Sequence, residues 1–231
     1  MNQFQIQNQI IFMLIHHLVL CADQNLFHAL IVVLDIRESS LRSIVHQRTQ
    51  SELQKTLNSK NANVRYNALY LQALWYKDEK SKQWWDRFLF DINIKVRILA
   101  SQIICSLAFE KNDSTLIEWV LPLTLDASSF RVRVAVLKEL IIVSRILWSA
   151  SWQGIFSTRI LKLIVDYLRQ IFYDTSEKVR YCFALLVYRT KSFPLEWVLH
   201  SMCFEKSKRI IQIYCFLLEE TKPTVCLCLV C

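Results

Sequence analysis

Four times a Val-Arg pair stands at the head of an apolar run: Val64-Arg65, Val96-Arg97, Val132-Arg133 and Val179-Arg180, at intervals of 32, 36 and 47 residues. Self-similarity at such a period restricts a chain to stacked units, because one helical hairpin cannot bury its own apolar face. The runs keep helical spacing: Ala68, Leu71 and Leu74; Ala100, Ile103 and Leu107; Val136, Leu140 and Val143; Phe183, Leu186 and Val187. Ahead of each pair lies a second amphipathic segment, near 42–57, 82–90, 115–125 and 155–172. The unit is therefore helix, polar turn, helix. The longest interval contains SRILWSASWQG (144–154), read as an inserted loop.

Composition supports helices throughout. The 231 residues include one glycine and three prolines, too few for the turns of a sheet protein, and 53% of them are apolar. The run IIFMLIHHLVLCA is too short to span a bilayer, is broken by His16 and His17, and ends at Asp23, Gln24 and Asn25. Residues 10–22 and 26–36 are read as buried helices. Cys21, Cys105, Cys182 and Cys215 fall inside apolar helical runs, where a free thiol acts as a small hydrophobe, so a reducing compartment fits better than a disulfide framework. The tail TVCLCLVC brings Cys226, Cys228 and Cys231 without a nearby histidine, one ligand short of a structural zinc site, so no metal and no cofactor is expected.

An aspartate precedes three of the pairs by five or six residues: Asp91 before Val96-Arg97, Asp126 before Val132-Arg133, and Asp174 before Val179-Arg180. This pattern resembles the HEAT repeat. It implies an all-α fold, a HEAT-repeat α-solenoid forming an armadillo-like superhelix, in which turn aspartates and helix arginines bond to neighbouring repeats. Asp91, Arg97, Asp126, Arg133, Asp174 and Arg180 are the expected ladder. Arg65 is its weaker member, since Asn58 or Asn61 stands where the aspartate belongs. A fifth unit begins near EKSKRIIQIYCFLLEE (205–220) without its Val-Arg pair. The expected organisation is N-terminal helices over 1–57, forming a degenerate unit, an array over 58–222 and an unstructured cysteine-rich tail over 223–231.

The net charge of +8 is uneven. Residues 1–60 hold five Lys/Arg against four Asp/Glu, whereas the rest of the chain holds 23 against 16. The residue before valine is Lys95, Arg131 and Lys178 in three units, so stacking would line these cations along one edge, extended by Lys206, Lys208 and Arg209. Such a row is either a track for nucleic-acid phosphates, which require charge rather than base-reading geometry, or solvated turn surface.

The order and unequal spacing of NANVRYNA, DINIKVRILA, SSFRVRVAVLKELIIV, DTSEKVRYCFALLVYRTKSF and FEKSKRIIQIYCFLLEETKP resemble the G subunits of condensin II, over roughly 58–222. Family chains are several times longer, and the cysteine tail has no counterpart there. The resemblance implies a non-catalytic, nuclear, chromosome-bound subunit that acts in mitotic condensation with a kleisin and SMC partners, and that binds duplex DNA without sequence preference. It implies no small-molecule substrate and no membrane. One glycine excludes a GxxxxGK phosphate loop, so ATP chemistry falls to the SMC partners.

Two other readings compete with it. A HEAT-like alkylpurine glycosylase would use Trp84, Trp85 and Asp86 of WWDR, although aromatics at that spacing also suit a core. A protein-binding HEAT scaffold or transport adaptor would lack DNA affinity. Adjacent His16 and His17 point about 100° apart on a helix, while His28, His46 and His200 are isolated, so no catalytic set forms.

Overall fold

The computed structural model describes residues 53–75, 81–111, 113, 115–147, 167–190 and 194–221, together with Met13, His17 and Leu20. Helix dominates these residues, and no strand occurs among them. The elements are α1 (Ala62–Trp75), α2 (Lys82–Leu89), α3 (Ile94–Lys111), α4 (Thr115–Val120), a 3-10 helix (Leu121–Leu125), α5 (Phe130–Leu147), a second 3-10 helix (Arg169–Tyr173), α6 (Glu177–Thr190), α7 (Leu195–Phe204) and α8 (Lys208–Thr221). The chain divides into two compact units, Met1–Ala100 and Ser101–Cys231.

In the first unit, α1 buries Val64, Ala68 and Leu71, a stripe spaced three and four residues apart. Ser81 caps α2, its Oγ accepting from Trp84 N at 3.3 Å, and the helix buries Trp85, Phe88 and Leu89. Trp84 meets Trp85 edge-on at 4.9 Å, and Trp85 is only 4% exposed. Asp86 is held by Lys82 Nζ at 3.0 Å, so this tryptophan pair and its aspartate are tied up in packing and an i,i+4 ion pair.

The second unit is two-layered. α6 packs between α5 and α8, so three long helices lie side by side. Behind them the 3-10 helix 121–125 meets 169–173, which in turn meets α7; each of these short elements also packs on the long helix that follows it. The long helices contribute Val132, Val136 and Leu140, then Val179, Phe183 and Val187, then Ile210, Tyr214 and Leu217, all buried. Phe172 joins the layers, edge-on to Phe183 at 4.7 Å and tilted against Tyr214 at 6.2 Å. Burial pushes the Tyr214 phenol above its ordinary pKa.

Several sequence expectations need correction. In α3 Ala100 is buried as expected, but beyond it the core positions are Ile104, Cys105 and Ala108, whereas Ile103 and Leu107 are half-buried. The segment read as an inserted loop starts as helix, because α5 continues to Leu147; residues 148–154 lie outside the described residues. Cys105 and Cys182 are buried but Cys215 is exposed, on the solvent side of α8. Met13, His17 and Leu20 are helical and exposed, one face of the segment expected to be buried. Residues 26–36, 42–52 and 155–166, Cys21 and the tail with Cys226, Cys228 and Cys231 lie outside the described residues.

Candidate nucleic-acid interface

Every long helix begins in the same way. Asn61, Asn93, Ser129, Ser176 and Ser207 each stand immediately before a helix, and the backbone carbonyl of each accepts the first intrahelical bonds. Three of the caps also use their side chains on the second helical amide: Asn61 Oδ1 on Asn63 N at 2.9 Å, Asn93 Oδ1 on Lys95 N at 2.9 Å, and Ser129 Oγ on Arg131 N at 3.2 Å. These residue types are the preferred caps because a short polar side chain satisfies an amide the helix leaves without a partner. Two of these capped second positions, Lys95 and Arg131, hold cations, and Lys178 and Arg209 stand at the same register of their helices.

A second device fixes the turn before each cap. Asp91 Oδ1 accepts from Asn93 N at 2.7 Å, Asp126 Oδ1 from Ser128 N at 2.8 Å, and Asp174 Oδ1 from Ser176 N at 2.8 Å. Glu205 Oε1 does the same for Lys206 N and Ser207 N, both at 2.9 Å. In the first turn Ser59 Oγ replaces the carboxylate, accepting from Asn61 N at 3.2 Å. Such side-chain turns define the approach of the chain into the helix.

The arginine that follows valine closes each turn on itself. Its Nη1 donates to the carbonyl of the turn residue six or seven positions earlier: Arg65 to Ser59 at 2.8 Å, and Arg97 to Asp91, Arg133 to Asp126 and Arg180 to Asp174, each at 2.6 Å. In Arg65, Arg133 and Arg180 the rest of the guanidinium reaches the acid of the next turn. Arg65 grips Asp91 with two bonds of 2.7 and 2.8 Å. Arg180 grips Glu205 at 2.8 and 3.1 Å. Arg133 Nη2 donates to Asp174 Oδ1 at 3.0 Å, while its Nε lies 2.7 Å from Oδ2 in an ionic contact that is not a directed hydrogen bond.

The partners differ from those expected. Arg65 makes a full bidentate pair, because the register residue of its own turn is Ser59, not Asn58 or Asn61, and its acid is Asp91 of the next turn. Arg180 pairs with Glu205, which neither a search for aspartate nor one for Val-Arg would find; Ile210 and Ile211 stand in the register of valine and arginine there. The detectable signal is an acid five or six residues before a buried β-branched position. The side chain of Arg97 is 7% exposed, and Asp126 anchors the turn before α5.

Electrostatics follow from the pairing. The hydrogen bond to Glu205 holds the Arg180 guanidinium above its already high pKa, and the Asp91 bond does the same for Arg65. At Glu205 burial favours the neutral acid, but the Arg180 bond and the two turn amides outweigh it, so its pKa lies below the ordinary carboxylate value.

The six expected cations all lie at the surface. Lys95, Arg131, Lys178, Lys206, Lys208 and Arg209 are exposed. Lys95 occupies its register in the first unit. In the second unit, Arg131, Lys178 and Arg209 share that second helical position, whereas Lys206 and Lys208 sit in the turn and at the helix start. The three helix starts of this unit adjoin: Lys178 Nζ stands 6.0 Å from the Phe130 ring, and Ser207 Oγ donates to Glu177 Oε1 at 2.8 Å. Glu177, the acid beside Lys178, is thus occupied by a neighbouring hydroxyl. Among the described residues no cluster of His, Cys, Asp or Glu could hold a metal ion. None of the described helices is long and apolar enough to cross a membrane.

No family model and no curated protein matches the sequence. Among solved structures, the chain is similar to the crystal structure of an engineered protein from the Northeast Structural Genomics Consortium, at 14% identity over 80% of this chain and 85% of that one, with a TM-score of 0.47. A likeness that distant carries no argument about fold or role.

Proposed function

We propose that the chain is a HEAT-repeat α-solenoid that binds duplex DNA without reading its sequence, as a non-catalytic subunit of the condensin II type. The carrying observation is the set of three exposed cations, Arg131, Lys178 and Arg209, at one register of three adjoining helix starts. A helix start presents partial positive charge, so cations placed there add to a field that already favours phosphate. Nothing in that arrangement aims a donor or acceptor at a base edge, and phosphate contacts of this kind position a protein without specifying sequence.

The repeated turn supports the solenoid half of the reading. At Arg65 and Arg180 one arginine clamps both its own turn and the acid of the next, as a repeating ladder would require. The kleisin and SMC partners, the nuclear and chromosomal location and the mitotic role follow from the sequence resemblance to condensin II G subunits. Co-purification tests that part: tagged kleisin or SMC subunits should retain the chain, along with its affinity for duplex. Retention of unrelated transport cargo peptides, with no affinity for DNA, would favour a protein-binding scaffold instead.

A further inference from the structure

The ends of the short elements in the second unit expose rings as well as charge. Tyr173 is 57% exposed and Phe204 is 66% exposed; each immediately precedes a turn acid, Asp174 or Glu205. His200 lies between them, its Nδ1 2.7 Å from the Tyr173 hydroxyl, with ring centroids 6.2 Å from Tyr173 and 5.0 Å from Phe204. The rings cross at 77° and 49°, so neither exposed face is covered by a parallel neighbour. One turn further back, Arg169 stacks over Trp197 at 4.7 Å. Beyond Phe204 come Lys206, Lys208 and Arg209, all exposed. A cavity of about 310 Å³ opens beside the strip, lined by Tyr173, Phe204, Ser201, Lys206 and the Arg180–Glu205 pair.

We infer that this strip is a stacking platform for unpaired bases, so that the second unit binds single-stranded nucleic acid as well as duplex. Sequence-tolerant single-strand sites combine a cationic path for the backbone with aromatic faces for successive bases. Both are present here: the Tyr173 and Phe204 rings on either side of His200, with Lys206 lining the same cavity as Phe204. Charge complementarity selects a polyanion over an apolar protein segment: the acids nearest the rings, Asp174 and Glu205, are held by Arg133 and Arg180, while the lysines beside Phe204 stand in solvent. Glu196, next to Trp197 in sequence, is one exposed carboxylate, and Arg169 over that tryptophan supplies a guanidinium.

The inference rests on the nucleic-acid reading above, and the experiment separates the two. Fluorescence anisotropy would compare the full chain with its Tyr173→Ser/Phe204→Ser variant on an oligothymidylate of about 15 nucleotides, the upper range for one such site, and on a duplex of equal length. Both side chains are more than half exposed, so the fold should survive, and Phe204→Trp provides a variant that keeps a stacking face. The expected result is a loss of about tenfold or more on the single strand, a duplex affinity changed less than about threefold, and retention of single-strand affinity by Phe204→Trp. Unchanged single-strand affinity, or equal losses on both probes, would overturn the platform while leaving duplex binding in place. So would a variant that loses only a kleisin fragment in pull-down. Binding of neither probe by the wild-type chain would remove both readings together.

Discussion

Replacing Arg180 by Ala should be among the most destabilising single changes outside the apolar core. The substitution deletes bonds of 2.6, 2.8 and 3.1 Å, to the Asp174 carbonyl and to both oxygens of Glu205, and a longer one of 3.4 Å to the Thr175 carbonyl. It leaves behind a Glu205 side chain only 5% exposed, against 20% for the arginine. Stripping one partner from a fully buried pair costs about 3–5 kcal/mol. Here the Lys206 and Ser207 amides still solvate the carboxylate, and the partly exposed arginine gives up less, so about 2–3 kcal/mol is expected. At about 2–4 °C per kcal/mol for a chain of this size, the midpoint of thermal unfolding should fall by roughly 4–12 °C. The assay is denaturant and thermal unfolding of wild type, Arg180→Ala, Glu205→Ala and the double variant. Their cycle should give a coupling of at least about 1 kcal/mol, since the two residues form one contact. A loss below about 0.5 kcal/mol, or additive single variants, would refute the clamp as a source of stability.

Other outcomes follow from the same geometry. Because the pKa of Glu205 is lower folded than unfolded, its contribution is complete above the unfolded value and disappears as pH falls through the folded one; Glu205→Gln should therefore flatten the decline of melting temperature between about pH 5 and pH 3. Arg65→Ala should destabilise comparably to Arg180→Ala, since Asp91 is 7% exposed beside it, and unfolding in urea checks this against the expectation that Arg65 is the weak member. Maleimide labelling of the native protein, read by site-resolved mass spectrometry, should modify Cys203 and Cys215 and spare Cys105, whose thiol is buried and raised in pKa.

The parts of this structure that could be read from sequence are those where chemistry repeats. Val96, Val132 and Val179 are fully buried, and the arginine after each sits in a turn clamp, because a β-branched residue followed by a long cation marks the change from core to turn at every unit. Legibility failed where another residue type does the same job. Ser59 takes the place of a carboxylate with one hydroxyl, and Glu205 reaches the amide two residues on, together with the one before it, with a longer side chain. The buried register in α3 slipped by one residue because ILASQIICSLA is apolar on nearly every face, leaving periodicity little contrast to work with. The same lack of contrast hid the exposure of Cys215. No sequence pattern singles out Tyr173 and Phe204; each is exposed at the last position of a short element.

The central claim is that cations at one helical register contact duplex phosphates, and a salt titration tests it most directly. Wild type and the Arg131→Gln/Lys178→Gln/Arg209→Gln variant would be titrated on two duplexes of unrelated sequence, with melting temperature as a control for folding. Each phosphate contact contributes about 0.9 to the slope of log affinity against log salt, so losing three should flatten the slope by about 2–3 units, equally on both duplexes. Melting should scarcely change, because all three side chains are exposed. An unchanged slope in a variant that still binds duplex would contradict the account and return the row to ordinary solvated surface.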